Sequence, residues 1–449
     1  MPKKTIQLSD HFTYSRLLRF VLPCIGTMLF TSIYGIVDGL CVSNFVGKTA
    51  FAAVNLIMPL PMLLGTIGFM LGTGGSAIVG ITLGEGDQKK ADRYFTLFLL
   101  AALISVSVLA VLGIVFLRPI AVLLGAKGEL LDYAVRYGRI LMVSLPTFAL
   151  QNMFQSFFVT AEKPHLGFWF TVGAGCTNMV LDVLMVGIWG WGVEGAAIAT
   201  FISQLVGGVL PVFYFIDRSN SSRLHLCKTS FYSKVLRDAC INGSSELMTN
   251  LSMSLVNILY NYQLLRLAGE NGVAAYGVIM YAAFLFVAVF VGYAVGSAPI
   301  VSFHYGARNH AEVHNLYRKS LRLIAVVAVT LTLASMFIIP CVARIFVGYD
   351  AELLALTSRA FRLYALSFLI MGFNVYASSF FTALGDGVTS ALISFLRTLA
   401  FQVIAILLLP LLLGIDGIWL AVTAAELAAL AVSAAMLLTK DKVFHYRKV

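Results

Sequence analysis

A carboxylate inside a run of apolar residues costs about 2.5–3.5 kcal/mol at the centre of a bilayer even on the lenient insertion scale, so each one here marks a candidate site. Asp38 lies in Ile33-Tyr-Gly-Ile-Val-Asp-Gly-Leu, and Asp182 in Asn178-Met-Val-Leu-Asp-Val-Leu. Asn178 and Asp182 are four apart, which puts an amide and a carboxylate on one face of a helix. With Asp38 and Thr200 they offer hard oxygen ligands suited to Na⁺. Two carboxylates in one cavity also repel each other, which favours sharing a proton between them. The same four residues therefore suit either ion. Glu246, Arg397 and Glu426 are the other ionisable residues in apolar stretches. Arg397 and Glu426 fall at comparable depth in adjacent stretches and are expected to form a neutralised structural pair.

Tyr260, Tyr281 and Met253 belong to a tyrosine- and methionine-rich second half. Such side chains suit a cavity for flat cationic ligands, which Glu246 would complete, although aromatic filling of a helix bundle gives the same pattern. Other motifs dissolve on inspection. Gly190-Trp-Gly-Val-Glu-Gly195 fits a dinucleotide fingerprint but follows an apolar run instead of a strand, so it reads as a turn. Gly47-Lys48-Thr49 lacks the first glycine of a phosphate loop, where Val42 stands, so no ATP site is expected. No nucleophile or metal-hydrolase motif is present, and an enzyme, a nucleic-acid binder and a cofactor are not expected. The six cysteines have no CxxC spacing and read as small apolar residues.

The elements that must position these residues are helices in lipid. Of 449 residues, 59% are hydrophobic and only 12% charged, against about 25% charged in soluble domains. Apolar stretches long enough to span a bilayer recur about twelve times. We expect an all-α polytopic membrane protein with spans near 15–44, 49–83, 91–117, 128–160, 165–188, 192–217, 235–266, 273–305, 313–340, 350–383, 388–412 and 417–438. Placing both termini in the cytoplasm puts 21 of the 31 Lys and Arg on that side, which fixes the orientation. The first span follows a short polar stretch and has no cleavage site, so no targeting segment is expected to be removed.

An internal repeat divides the chain. At an offset of 222, Gly84-Glu-Gly-Asp falls on Gly306-Ala-Arg-Asn, and Gly192-Val-Glu-Gly falls on Gly414-Ile-Asp-Gly; at 223, residues 125–158 match 348–381 at ten of 34 positions. Six spans per repeat is an even number, so both halves enter the membrane alike and are related by an axis along its normal. The expected units are residues 1–217, a linking loop at 218–234, and 235–449. At 222, Asp38, Asn178, Asp182 and Thr200 fall on Tyr260, Ala400, Ile404 and Val422. The acidic set thus exists in one half only, which favours function over glue between helices.

Asp38, Pro59-Leu-Pro61, Gly84-Glu-Gly-Asp, Asn178-x-x-x-Asp182, Gly195-Ala-Ala-Ile-Ala-Thr200 and the duplication together resemble the multidrug and toxic compound extrusion (MATE) transporters. The resemblance covers essentially the whole chain. It implies two six-helix lobes and export of organic cations or drugs in exchange for Na⁺ or H⁺ by alternating access, in a bacterial inner membrane and as a monomer. It also implies that Asp38, Asn178, Asp182 and Thr200, with a backbone carbonyl near Ala196, bind the ion. Glu246 matches an acid used by another branch, and Asn374 stands where that branch has a second acid. The alternative within the same superfamily is a flippase for a lipid-linked saccharide, which wants a strongly cationic cavity.

Overall fold

The computed structural model describes residues 6–46, 48–348 and 350–447, without the side chains at 36, 38–44, 48, 51, 340, 342, 345 and 346. Among the described residues every regular element is helical. In chain order they are α1 (Tyr14–Phe45), α2 (Lys48–Ile57), α3 (Pro59–Gly84), α4 (Gln88–Leu123), α5 (Glu129–Thr160), α6 (Pro164–Asp182), α7 (Gly192–Gly208) and α8 (Leu210–Ile216). The second half holds α9 (Ser233–Gly306), α10 (His310–Val347), α11 (Ala351–Ala365), α12 (Phe368–Ala383), α13 (Gly387–Phe395), α14 (Phe401–Leu413), α15 (Ile415–Thr439) and the short α16 (Asp441–Phe444). Lipid offers no hydrogen-bond partner to a backbone, so helices that satisfy their own amides are the form such a sequence takes.

Helices long and apolar enough to cross a membrane account for nine segments among the described residues, and α11 with α12, bent by 46°, for a tenth. The 74-residue α9 is two spans joined at Gly269, whose φ of 61° and ψ of −152° break the helix. Adding the 32-residue α5 gives the twelve expected spans. The boundaries differ in places. The third span runs to 36 residues, and the second is split where Pro59 opens α3.

The repeat is visible residue by residue. Asp87 caps α4 by accepting from the Lys90 amide, and Asn309 at the equivalent position caps α10 by accepting from the Glu312 amide. Just before them Gly86 and Arg308 both take positive φ, 88° and 54°. At the outer turn Arg136 reaches Glu194 and Arg359 reaches Asp416, the same ion pair once in each half. These arginines tie α5 to α7 and α11 to α15 within a half. Gly190 and Gly192, at φ 67° and 59°, form a turn, and Gly414 at 59° mirrors the second.

Contact between the halves concentrates at the end that carries both termini. A Cβ on Gly243 would fall on the Met70 carbonyl, one on Gly74 on the Ala239 carbonyl, one on Gly84 on the Phe303 carbonyl, and one on Gly306 on the Ile81 carbonyl. Further along the same seam a Cβ on Gly292 would crowd Ile25, and one on Gly296 would sit 3.1 Å from Cys24 Sγ. Glycine here lets α3 and α1 meet α9 backbone to backbone, the close approach that drives association where lipid removes the hydrophobic contrast. The apolar core agrees: one cluster runs through both halves, from Leu17 and Phe95 to Phe303 and Phe380. A second, with Ala53, Ile57, Leu117, Tyr137 and Val193, belongs to the first half alone and lies toward the other end.

The segment before α1 closes the seam. Leu8 and Phe12 are fully buried. The Leu8 amide donates to Glu162 of the first half at 2.8 Å, while the Phe12 amide donates to Glu312 of the second at 2.9 Å and His11 Nδ1 lies 2.6 Å from the same carboxylate. Arg223, in the linking loop, bonds Glu162 at 2.5 Å and lies over the Phe303 ring.

A valine at 243 would force α9 off Met70. In a variant keeping Cys24 as its sole cysteine, Gly243→Val is expected to raise maleimide labelling of that buried thiol several-fold. An unchanged labelling rate would show that the seam does not depend on this contact.

Candidate functional site

α1, α6 and α7 pack together in the first half, and glycines fix how α1 and α6 are aligned. A Cβ on Gly26 would lie 3.0 Å from the Phe168 ring, one on Gly175 would lie 3.2 Å from Tyr34, and one on Gly187 would lie 3.7 Å from Phe45. The two helices therefore run in parallel with a constant offset. That register sets residue 38 level with the turn between 178 and 182; the Asp38 side chain itself lies outside the described residues.

On α6, Asn178 is 1% exposed and Asp182 fully buried. Thr200 donates its hydroxyl to the Ala196 carbonyl at 3.0 Å, so both of these predicted ligands sit on one turn of α7. The Asn178 Oδ1 is enclosed without a hydrogen-bond partner among the described residues. A buried amide oxygen left open is costly unless something electropositive completes it. Together with a buried carboxylate and a hydroxyl it fits a small hard cation or a proton carrier.

Directly after Asp182 the helix widens into a π-helical stretch, Val183–Ile188. The second half has its own, Leu396–Ala400, which contains Arg397. Such wide turns are rare and gather at functional positions. In both halves one sits at a buried ionisable residue, a feature invisible in apolar periodicity.

The second half organises its polar groups differently. Arg397 Nε lies 2.8 Å from Glu426 Oε1, with side chains 13% and 1% exposed. Asn374, fully buried, donates to Glu426 Oε2 at 2.7 Å and accepts from the Ser433 hydroxyl at 2.9 Å. Asn374 is therefore enclosed in this network instead of facing a cavity. Tyr260 likewise is 2% exposed and stacks on Tyr276 at 4.9 Å, packed in the core. Met253 and Tyr281 are each 47% exposed. Glu246 sits one turn before Asn250, whose amide donates to the Glu246 carbonyl at 2.9 Å, and its carboxylate has no ion pair among the described residues.

Sequence reasoning did not find Ser433 or the Glu162 and Glu312 clamps. The first had no signal. Glu162 had one: it stands where the offset of 223 places Gly385 in the second half, and it holds a φ of 63°.

Among the described residues no cluster of three or more His, Cys, Asp or Glu could hold a metal ion. Removing one member of the Arg397 pair should leave the other charge buried. Glu426→Gln is expected to destabilise the protein by about 3–5 kcal/mol, read as a lower melting temperature, while Arg397→Met with Glu426→Met should recover most of the loss. Equal melting of wild type and Glu426→Gln would show that the pair carries no structural weight.

With this geometry in place, comparison with known proteins is specific. The family model MatE matches residues 23–184 and 247–408, once in each half. The multidrug export protein MepA of Staphylococcus saprophyticus is 21% identical over 436 residues, 96% of this chain and 95% of that protein. MepA of Staphylococcus aureus strain MSSA476 is 22% identical over 433 residues, with the same coverage. Among solved structures, a multidrug resistance MATE family transporter in an outward-facing conformation superposes with a TM-score of 0.92 at 23% identity over 99% of both chains. A MOP superfamily transporter from Pyrococcus furiosus, described as having a binding pocket of reverse polarity, gives 0.90 at 23%, over 100% of this chain and 99% of that one.

Proposed function

Because the chain belongs to the MATE family of multi-pass membrane transporters, we propose that it is a secondary antiporter that exports organic cations or drugs in exchange for Na⁺ or H⁺. The observation that carries this reading is the buried polar cluster on α6, where Asn178 and Asp182 share a face at the level of residue 38 and the Asn178 oxygen is left to be completed. The names of the MepA relatives support drug export.

In this reading Asp38 and Asp182 bind the ion, with Asn178, Thr200 and the Ala196 carbonyl completing its shell. Ion binding removes the repulsion between two buried carboxylates and lets α1 and α6 close on each other. Substrate binds the state in which they do not. Because the two ligands favour different states, neither needs to touch the other to be exchanged. The ion supplies the work: one charge crossing 100 mV yields about 2.3 kcal/mol. The wide turn after Asp182 gives α6 a place to move without breaking its hydrogen bonds.

Orientation follows the charge. The seam-bearing end carries most of the Lys and Arg and faces the cytoplasm of a bacterial cell by the positive-inside rule. A protein sealed there by glycine contacts and by the Leu8–Phe12 segment is in its outward-facing state. The protein works as a monomer, each copy holding a complete ion site, and needs no ATP. The flippase reading has less to stand on, because the cation it would offer a diphosphate, Arg397, is already bonded to Glu426.

Transport decides the matter. Proteoliposomes given an inward Na⁺ or H⁺ gradient are expected to export ethidium under one of the two, and Asp182→Asn to lower that rate at least tenfold with the protein still folded. Full activity in Asp182→Asn would overturn the coupling role. No ethidium movement under either gradient, with lipid-linked saccharide translocated instead, would overturn the antiporter reading.

A further inference from the structure

A cleft outside the ion site, on the flank of the first half between α1 and α6, holds about 630 Å³. Its walls differ along the membrane normal. Arg19, His165 and Glu162 line it at the terminus-bearing end, and Leu22, Gly26 and Phe168 line it further in. Seven residues of helix separate Arg19 from Gly26, a rise of about 10 Å, so the polar mouth sits at headgroup depth and the apolar part in hydrocarbon. Gly26 lets the Phe168 ring pack directly onto α1, 3.0 Å from where a Cβ would stand, and that ring forms part of the inner wall. Leu22 is 55% exposed and the adjoining Trp169 64%, so the cleft opens sideways toward lipid.

Charge then selects the occupant. Glu162 Oε1 accepts from the Leu8 amide and pairs with the Arg223 guanidinium, and among the described residues the carboxylate makes no ion pair with Arg19. Arg19 has no ion pair among the described residues, and His165 is exposed beside it. Arg19 brings a fixed cation to the mouth, and the His165 ring adds a hydrogen-bonding nitrogen. The mouth disfavours the organic cations of the proposed transport and suits a phosphate ester. Basic pockets between membrane helices at headgroup depth take anionic lipid heads in just this geometry. We infer that the cleft between α1 and α6 is a binding site for one anionic glycerophospholipid, its phosphate on Arg19 and His165 and a chain along Leu22, Gly26 and Phe168. The inference rests on the chain spanning a membrane and not on its being an antiporter.

A lipid seated there touches three parts at once: α1, the start of α6, and the segment before α1 through Ile6. It therefore braces the first half where the Leu8 clamp begins.

Native mass spectrometry of the full chain in detergent, with phosphatidylglycerol or phosphatidylcholine added, tests the site. Wild type is expected to retain one phosphatidylglycerol under conditions that strip phosphatidylcholine. Arg19→Gln with His165→Gln, both on the surface, should cut that retention about tenfold, because the phosphate then loses the Arg19 guanidinium and the His165 ring. Gly26→Leu, whose side chain pushes the Phe168 ring that lines the apolar part, should reduce retention with Arg19 and His165 intact. Equal retention of the two lipids by wild type would overturn the assignment. So would a double variant that keeps phosphatidylglycerol as wild type does, or displacement of the bound lipid by ethidium, which would make the cleft a cation site.

Discussion

Everything in this fold depends on two backbones being allowed to touch. Between halves that are both oily and both surrounded by oil, burial of side chains gives little reason to associate. What holds α3 against α9 is contact at the distance where carbonyls meet Cα atoms, and that distance exists because residues 74, 84, 243 and 306 carry no side chain. The seam is therefore a close one, backbone against backbone. It is reinforced by the polar groups of the Leu8–Phe12 segment, which bind one carboxylate from each half. A few directional bonds at one end are the natural way to hold a state that must later be left, since deep apolar interdigitation would cost too much to reverse.

Duplication gave the two halves one scaffold, and buried charge then separated them. The scaffold shows in shared caps at Asp87 and Asn309, and in ion pairs repeated at Arg136 and Arg359. The buried charge does not repeat. In the first half it is acidic, and the Asn178 oxygen beside it is left without a hydrogen bond among the described residues. In the second it is closed, with Arg397, Asn374 and Ser433 all turned onto Glu426 and its neighbour. A closed network is a rigid one, and an open one can respond to what enters it.

The fold was legible because lipid leaves so few choices. Length, apolar runs and the offset of 222–223 residues fix twelve helices in two sets of six, and the structure departs from them only at breaks. Those breaks have local causes: Pro59 divides the second span, and Gly269 supplies the entire turn where a longer loop was expected. The candidate site was half legible. Spacing places Asn178 and Asp182 on one face, but the direction in which a tyrosine or an asparagine points depends on helix rotation, which periodicity in an all-apolar segment does not define. Tyr260 and Asn374 turned inward for that reason.

The repeat offset holds one more consequence. It is 223 from Glu162 to Gly385 and 222 from Gly192 to Gly414, so the first half carries one amino acid more than the second across α6. Its wide turn, Val183–Ile188, offers a place to take up such a residue, whereas the wide turn of the second half, Leu396–Ala400, falls earlier along the repeat. In a regular helix a single inserted residue rotates everything beyond it by about 100°, whereas one taken up as extra girth leaves the helix on either side nearly in phase. The turn that carries Asn178 and Asp182 lies before the widening, so it keeps the register that α1 and α6 set, and the added length falls between it and the glycine turn that opens α7.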